Sequence, residues 1–148
     1  MRGAPVQGLF FEDLQVGQTA ETTRLVTAEV IEAFAAVSGD ANPVHLDEAY
    51  AQTTPFGGRI AHGMLSAAYI SAVIGMQLPG PGAIYLSQSL RFRRPVKIGD
   101  EVAVRVEITA LEDKRGQATI ATVCTVAGKT VVDGEAVIMV PRKPGGDA

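Results

Sequence analysis

The stretch that decides the fold is IAHGMLSAAYISAVIGMQL, residues 60–78, in which no Asp, Glu, Lys or Arg occurs. A membrane-spanning helix needs about 20 such residues. This stretch, however, contains a histidine, two glycines and two serines, and no basic cluster flanks it. A helix that is apolar all round is equally typical of the buried centre of a soluble domain. We therefore predict a long buried helix that ends at Pro79-Gly80-Pro81-Gly82.

Strand patterns follow this helix. Four strands are predicted, at residues 86–92, 102–109, 117–126 and 130–140. The first two alternate in polarity, as half-buried strands do, whereas the last two are apolar at both parities in places, which indicates burial on two faces. Short turns join them, and short links require antiparallel neighbours.

The segment before the helix predicts one strand and two shorter helices. Residues 19–26 form the strand, and Thr27 is placed to cap a helix that ends at Gly39. A short helix over 47–51 and a loop over 53–58 follow. This order indicates an α+β fold, an antiparallel sheet packed with one central helix. Such a sheet has edges and an uncovered face, which self-association would protect.

Composition is typical of a globular protein with one domain. For 148 residues, 47% hydrophobic and 20% charged, we predict a single domain over 1–148 with its core at about 10–141. The net charge of −3 argues against a basic face for nucleic acid. The one cysteine, Cys124, excludes an internal disulfide and has the setting of a small buried hydrophobe. Because Met1–Pro5 lacks a signal-peptide pattern, we expect a cytoplasmic protein that does not cross a membrane.

The two histidines are the main candidates for chemistry. The first closes the turn SGDANPVH, residues 38–45, in which Pro43 fixes its own φ and keeps Asn42 extended. A stiff turn brings Asp40 and His45 to one point, where a carboxylate and an imidazole that share a water form an acid–base pair. The alternative is that the segment is only a good turn, with Asp40 bonded to backbone amides.

The second histidine, His62, precedes Gly63 at the start of the long helix. Free N–H groups at a helix start stabilise a developing oxyanion, and glycine allows close approach. The alternative is a histidine that merely caps or packs against the helix start.

Residues 34–51, FAAVSGDANPVHLDEAYA, resemble the hydratase 2 motif of MaoC-like, (R)-specific enoyl-CoA hydratases, with its Gly-Asp-x-Asn-Pro-hydrophobic-His core intact. Residues 56–65, FGGRIAHGML, are similar to the family's second block, and residues 84–102 resemble its strand-and-turn region. The likeness extends over residues 10–141. It is strongest to the short members with a single hotdog domain that supply polyhydroxyalkanoate synthesis.

The resemblance implies a hotdog fold, in which the sheet wraps around the long helix, and a homodimer. It also implies the reversible addition of water to trans-2-enoyl-CoA, giving (R)-3-hydroxyacyl-CoA. Asp40 and His45 match the catalytic pair, and Gly63 matches the oxyanion donor. No metal or cofactor is expected, because the thioester already activates C3 and coenzyme A is part of the substrate.

Further residues are expected to contact the substrate. These are Asn42, His62, Leu65, Ser71, Arg93 and Arg94. Asn42 holds either the turn or the water, and Ser71 matches a pocket serine of the polyhydroxyalkanoate-linked members. Leu65, together with Ile74, either lines the acyl tunnel or belongs to the core.

A dense basic cluster is a candidate for the coenzyme A phosphates. It consists of Arg91, Arg93, Arg94 and Lys97, and its alternative interpretation is a solvated strand end. Three other functions stay open at this stage. They are a dehydratase acting on acyl carrier protein thioesters, a hotdog thioesterase with no need of the Asp-x-Asn-Pro-x-His geometry, and a binding module without chemistry.

Overall fold

The computed structural model describes residues 7–145, so the predicted limits of 1–148 and the segment Met1–Pro5 lie partly or wholly outside the described residues. A short 3₁₀ turn, Phe11–Asp13, comes first. The helices are α1 (Ala28–Ser38), α2 (Pro43–Leu46), α3 (Glu48–Gln52) and α4 (Gly63–Met76). The strands are β1 (Thr19–Leu25), β2 (Ile84–Gln88), β3 (Arg91–Phe92), β4 (Glu101–Glu112), β5 (Gln117–Val126) and β6 (Lys129–Met139).

The sheet is antiparallel throughout and has the strand order β1-β4-β5-β6-β2, with β3 also paired to β6. Helix α4 packs across β1, β4, β5 and β6. One continuous hydrophobic core joins them, with α4 contributing Ile70, Val73 and Ile74 and the strands contributing alternate residues. The expected α+β hotdog arrangement of a sheet around one central helix is therefore confirmed.

The central helix is buried on one side only, which corrects the expectation of burial all round. The core side carries Leu65, Ile70 and Ile74, whereas Met64 is 54% exposed and Ser71 lies on the same open side. The helix is apolar on both sides, so its composition alone does not reveal which side is covered. Among residues 7–145, no helix combines the length and apolar character required to cross a bilayer.

Two strand predictions need correction. The predicted strand over 86–92 divides into β2 and β3, because the chain between them crosses Gly134 closely, and β2 itself contains a bulge after Tyr85. A Cβ at Gly134 would lie 1.8 Å from the carbonyl oxygen of Ser89, so only glycine fits this crossing. The other correction concerns β5, which buries alternate residues on one face and covers the opposite face only partly.

The helices on either side of the Asp40 turn are fixed by local capping. Thr27 caps α1 by accepting a hydrogen bond from the Val30 N–H at 3.2 Å, as predicted. Gly39 ends α1 in the left-handed region, at φ +80°. Helix α2 was not predicted from the sequence, although Asn42 as cap and Pro43 at the first helical position are a favoured helix start. Asp40 therefore lies in the short connection between α1 and α2, and His45 lies on α2.

Candidate active site

The turn between α1 and α2 holds its polar side chains with local hydrogen bonds. Asp40 Oδ1 accepts from the Asn42 N–H at 3.3 Å, and Asn42 Oδ1 accepts from the Val44 N–H at 3.1 Å. Asn42 therefore holds the turn, one of the two roles expected for it. Asp40 is exposed, so its second carboxylate oxygen is accessible to a ligand.

The ring of His45 is fixed in a single useful orientation. Its Nδ1 lies 2.7 Å from the carbonyl oxygen of Ile60, and the side chain is 8% exposed. Because a carbonyl oxygen only accepts hydrogen bonds, Nδ1 carries the proton and Nε2 keeps its lone pair. His45 is thus oriented as a base at Nε2.

His62 lies directly against His45. The two rings stack with centroids 3.8 Å apart and an interplanar angle of 26°. His62 Nε2 donates to the carbonyl oxygen of Asp40 at 2.8 Å, a bond between residues 22 apart in the chain. On the far side, the Phe34 ring lies 4.9 Å from the His62 ring. His62 was expected to touch substrate, and in the structure it contacts both Asp40 and His45, the expected acid–base pair.

Asp40, His45 and His62 form a compact cluster, which is named the catalytic cluster for the role expected of it. One ligand-type atom of each residue lies within 4.8 Å of the other two. Such an arrangement can hold a water between an acid and a base, and it also has the donor types of a divalent metal site.

Gly63 begins α4 and borders a cavity of about 480 Å³. The opposite wall of this cavity is β3 and the residues after it, including Phe92, Arg93 and Arg94. A Cβ at Gly63 would lie 2.6 Å from the Phe92 ring, so the close approach of the two walls requires glycine here. The first N–H groups of a helix have no partner within it, so the Gly63 amide is suited to an oxyanion.

The basic cluster is divided by its own hydrogen bonds. Arg93 forms a two-point ion pair with Asp133, at 2.9 and 3.2 Å, and Arg94 donates to the Thr130 carbonyl at 2.7 Å. Both line the cavity beside Gly63. Arg91 and Lys97 are exposed and lie outside that lining.

The other candidates on α4, Leu65, Ser71 and Ile74, do not line this cavity. Leu65 is a core residue that also borders a second, more open cavity of about 670 Å³ between α1, β1 and α4. Ile74 is fully buried among core residues, which agrees with the core alternative. Ser71 is exposed on the open side of α4 and borders neither cavity.

Sequence reasoning missed Arg59, which hydrogen-bonds to the main chain of His45 in the catalytic cluster. Its side-chain Nε donates to the His45 carbonyl at 2.7 Å, and its main-chain N–H donates to the Glu48 carboxylate at 3.1 Å. The bond from Arg59 N–H lowers the pKa of the Glu48 carboxyl below its ordinary value. The signal was present, since Arg59 stands three residues before His62, but its partners lie 11 and 14 residues away.

Residues 12–131 match the MaoC like domain, and the chain belongs to this family. It is 53% identical over 134 residues to an (R)-specific enoyl-CoA hydratase of Rhodospirillum rubrum, which covers 90% of this chain and 93% of the relative.

Two solved structures agree with this assignment. One is an R-hydratase from Pseudomonas aeruginosa in the unliganded form, with a TM-score of 0.88 and 54% identity, covering 93% of this chain and 89% of that one. The other is an (R)-hydratase from A. caviae involved in PHA biosynthesis, with a TM-score of 0.85 and 48% identity, covering 88% and 99%. The recognised family and the expected fold are confirmed.

Proposed function

We propose that this protein is an (R)-specific enoyl-CoA hydratase, a hydro-lyase that adds water reversibly to trans-2-enoyl-CoA. The observation that carries the proposal is the convergence of Asp40, His45 and His62 within 4.8 Å, next to the free amides at the start of α4. High identity to relatives named as (R)-specific hydratases supports the substrate class and the hand of the product.

The reaction follows from the orientation of the groups. Asp40 and His45 Nε2 hold a water, and His45 takes one proton as the water oxygen bonds to C3. The C2–C3 electron pair moves toward the thioester carbonyl, whose oxygen gains charge and is stabilised by the Gly63 N–H. C2 then takes a proton from the same pair, so water is added without a net change in the enzyme. The step requires neither metal nor cofactor, and a chelator should leave kcat unchanged.

The test is loss of the conjugated enoyl-thioester absorbance when the protein is mixed with crotonyl-CoA. Free thiol is measured in the same sample, and an (R)-specific dehydrogenase reports the hand of the product. Burial raises the pKa of the Cys124 thiol to about 12, so the protein itself should add no signal to the thiol assay. We expect absorbance loss without thiol release, giving the R product.

A matched pair of variants identifies the source of the activity. Asp40→Asn removes the carboxylate but keeps an oxygen for the Asn42 N–H, whereas Asp47→Asn makes the same change at an exposed helix cap close by. Only the first should abolish turnover. Thiol release by the wild type would instead indicate a thioesterase, and activity restricted to acyl carrier protein thioesters would indicate the dehydratase. Binding without turnover of either thioester would leave a non-catalytic binding module.

Supply of monomers to polyhydroxyalkanoate synthesis is a role consistent with the relatives, one of which is involved in PHA biosynthesis. Deleting the gene from a producing host should lower polymer content, and restoring the wild type but not Asp40→Asn should recover it. The cytoplasmic location stays a prediction, which fractionation of the same cells tests.

The protein further acts as a homodimer, because two of its apolar surfaces are exposed. Strand β2 ends the sheet and exposes Ile84, Tyr85 and Leu86 along its edge. The open side of α4 adds Met64 and Met76. Pairing of β2 with β2 of a second copy would continue the sheet and bury this surface.

Sedimentation of the wild type and two aspartate variants tests the dimer. Leu86→Asp places a charge on the β2 edge, and Val16→Asp places one on an exposed turn elsewhere. We expect twice the 15.5 kDa chain mass for the wild type and Val16→Asp, and a shift toward the single chain for Leu86→Asp. A monomeric wild type at micromolar concentration would contradict the proposal.

A further inference from the structure

His62 has no step in the mechanism above, yet it touches both residues that do. It is 3% exposed, more deeply buried than His45. Its Nε2 donates to the Asp40 carbonyl at 2.8 Å, which fixes the protonated nitrogen, and its Nδ1 therefore carries a lone pair. Within the part of the chain that the structure describes, this Nδ1 is buried without a hydrogen-bond partner.

The bare Nδ1 determines the charge of the ring. A proton there would be a buried donor without an acceptor, next to an imidazole that must itself accept a proton during the reaction. The contacts of His62 are therefore those of a ring with its proton on Nε2 and a lone pair on Nδ1. A neutral ring stacked 3.8 Å from His45 offers its π face to the imidazolium that forms when His45 takes the proton.

The bond to Asp40 has a second consequence. Asp40 lies in an exposed turn, whereas His62 caps the buried helix α4. Through the 2.8 Å bond, the buried His62 restricts the motion of the Asp40 main chain, which carries the catalytic carboxylate. From these contacts we propose that His62 is a positioning residue for the hydration reaction, a neutral imidazole that fixes the main chain of Asp40 and the ring of His45.

Three substitutions separate the two contacts. His62→Gln keeps an N–H that reaches the Asp40 carbonyl but removes the ring. His62→Phe keeps a ring against His45 but removes the donor, and His62→Leu removes both. Val73→Ala is the matched control, because it weakens α4 in the core without touching the catalytic cluster.

The inference rests on the proposed hydratase activity, and the same assay distinguishes their failures. Wild-type turnover of crotonyl-CoA tests the function, and the ratio of variant to wild-type rates tests His62. We expect His62→Leu to lower kcat about 10²-fold. The Gln and Phe variants should each recover part of that loss, KM should stay nearly constant, and Val73→Ala should keep its kcat despite a lower Tm.

Three results would overturn the proposal. One is equal loss of kcat in the Leu, Gln and Phe variants, matched by Val73→Ala, because that is the behaviour of a purely structural residue. Another is a rise in KM at constant kcat, which would make His62 a substrate contact. The last needs no substrate at all: nitrogen NMR of the labelled wild type at neutral pH should show a protonated Nε2 and a bare Nδ1, and the opposite tautomer or a charged ring would contradict the inference.

Discussion

The catalytic cluster and the Arg93–Asp133 ion pair across the cavity are held in opposite ways. In the cluster, the rings of His45 and His62 are buried and bond to main-chain carbonyls 15 and 22 residues away. Across the cavity, Arg93 is exposed and bonds to the half-buried side chain of Asp133, 40 residues away. Main-chain partners cannot rotate away, whereas two solvated side chains exchange partners easily. The difference leads us to expect rigid groups for the proton transfers proposed above and more mobile charges for the proposed contact with substrate.

The largest expected effect concerns whether the catalytic cluster acts as a unit. Asp40→Asn and His45→Gln should each lower kcat by about 10²–10⁴-fold, the range for general acid–base groups. Because both residues act on one water, the double variant should be hardly slower than the slower single variant. Steady-state kcat for the two single variants and the double variant measures this.

Asp40 is exposed and its replacement should leave the free energy of unfolding unchanged, which provides the stability control. His45→Gln should be less stable, since a buried bond to the Ile60 carbonyl is altered. If the losses in kcat multiply in the double variant, the two residues work independently and the comparison drawn above is wrong for the cluster.

The next largest effect is expected where the two walls of the cavity touch. Gly63→Ala adds a Cβ that would lie 2.6 Å from the Phe92 ring, so the ring or the start of α4 must shift. A shift of the oxyanion donor by a fraction of an ångström should lower kcat about 10- to 10²-fold.

Phe92→Ala removes the obstacle and is the matched background for that test. We expect the substitution of Gly63 to cost much less in the Phe92→Ala protein than in the wild type, and a double-mutant cycle in kcat measures the difference. Equal losses in both backgrounds would mean that the added methyl group blocks the substrate rather than displacing Phe92.

The members of the catalytic cluster differ in how far the sequence could predict their positions. The Asp40–His45 turn was predictable because all of its determinants, Gly39, Asn42 and Pro43, lie within a few residues. The contact of His62 with Asp40 was not predictable from the sequence. Its bond to the Asp40 carbonyl joins positions 22 apart and depends on how α4 packs against the turn. Short-range constraints on the backbone can be predicted from the sequence, whereas contacts between distant segments form only when the chain folds.

The same reasoning applies to the sheet and its central helix. Alternating polarity predicted β4 closely, and the bounds predicted for β5 are those observed, whereas the break between β2 and β3 depends on the crossing at Gly134, some 45 residues farther along. Which side of α4 is covered also lay beyond reach, since small and apolar residues occupy both sides. An exposed apolar side becomes recognisable only after the sheet is in place.

The smallest expected effect lies at the basic residues of the cavity rim. The double charge reversal Arg93→Glu and Arg94→Glu should raise KM for crotonyl-CoA about two- to fivefold and leave kcat unchanged, because solvated charges near a phosphate contribute little each. Added salt should narrow the difference between variant and wild type, since exposed charges are screened. Arg105→Glu is the control, because Arg105 carries the same charge on β4 and does not border the cavity.

Asp133→Asn sharpens this last test in the opposite direction. The guanidinium of Arg93 forms a two-point ion pair with Asp133. Loss of that carboxylate should make the guanidinium available to the substrate and lower KM slightly below the wild-type value. If KM is unchanged by both the charge reversal and Asp133→Asn, the basic residues are a solvated strand end. Other residues would then have to bind the coenzyme A phosphates. The comparison between a rigid catalytic cluster and mobile arginines that bind substrate would then be wrong for the arginines.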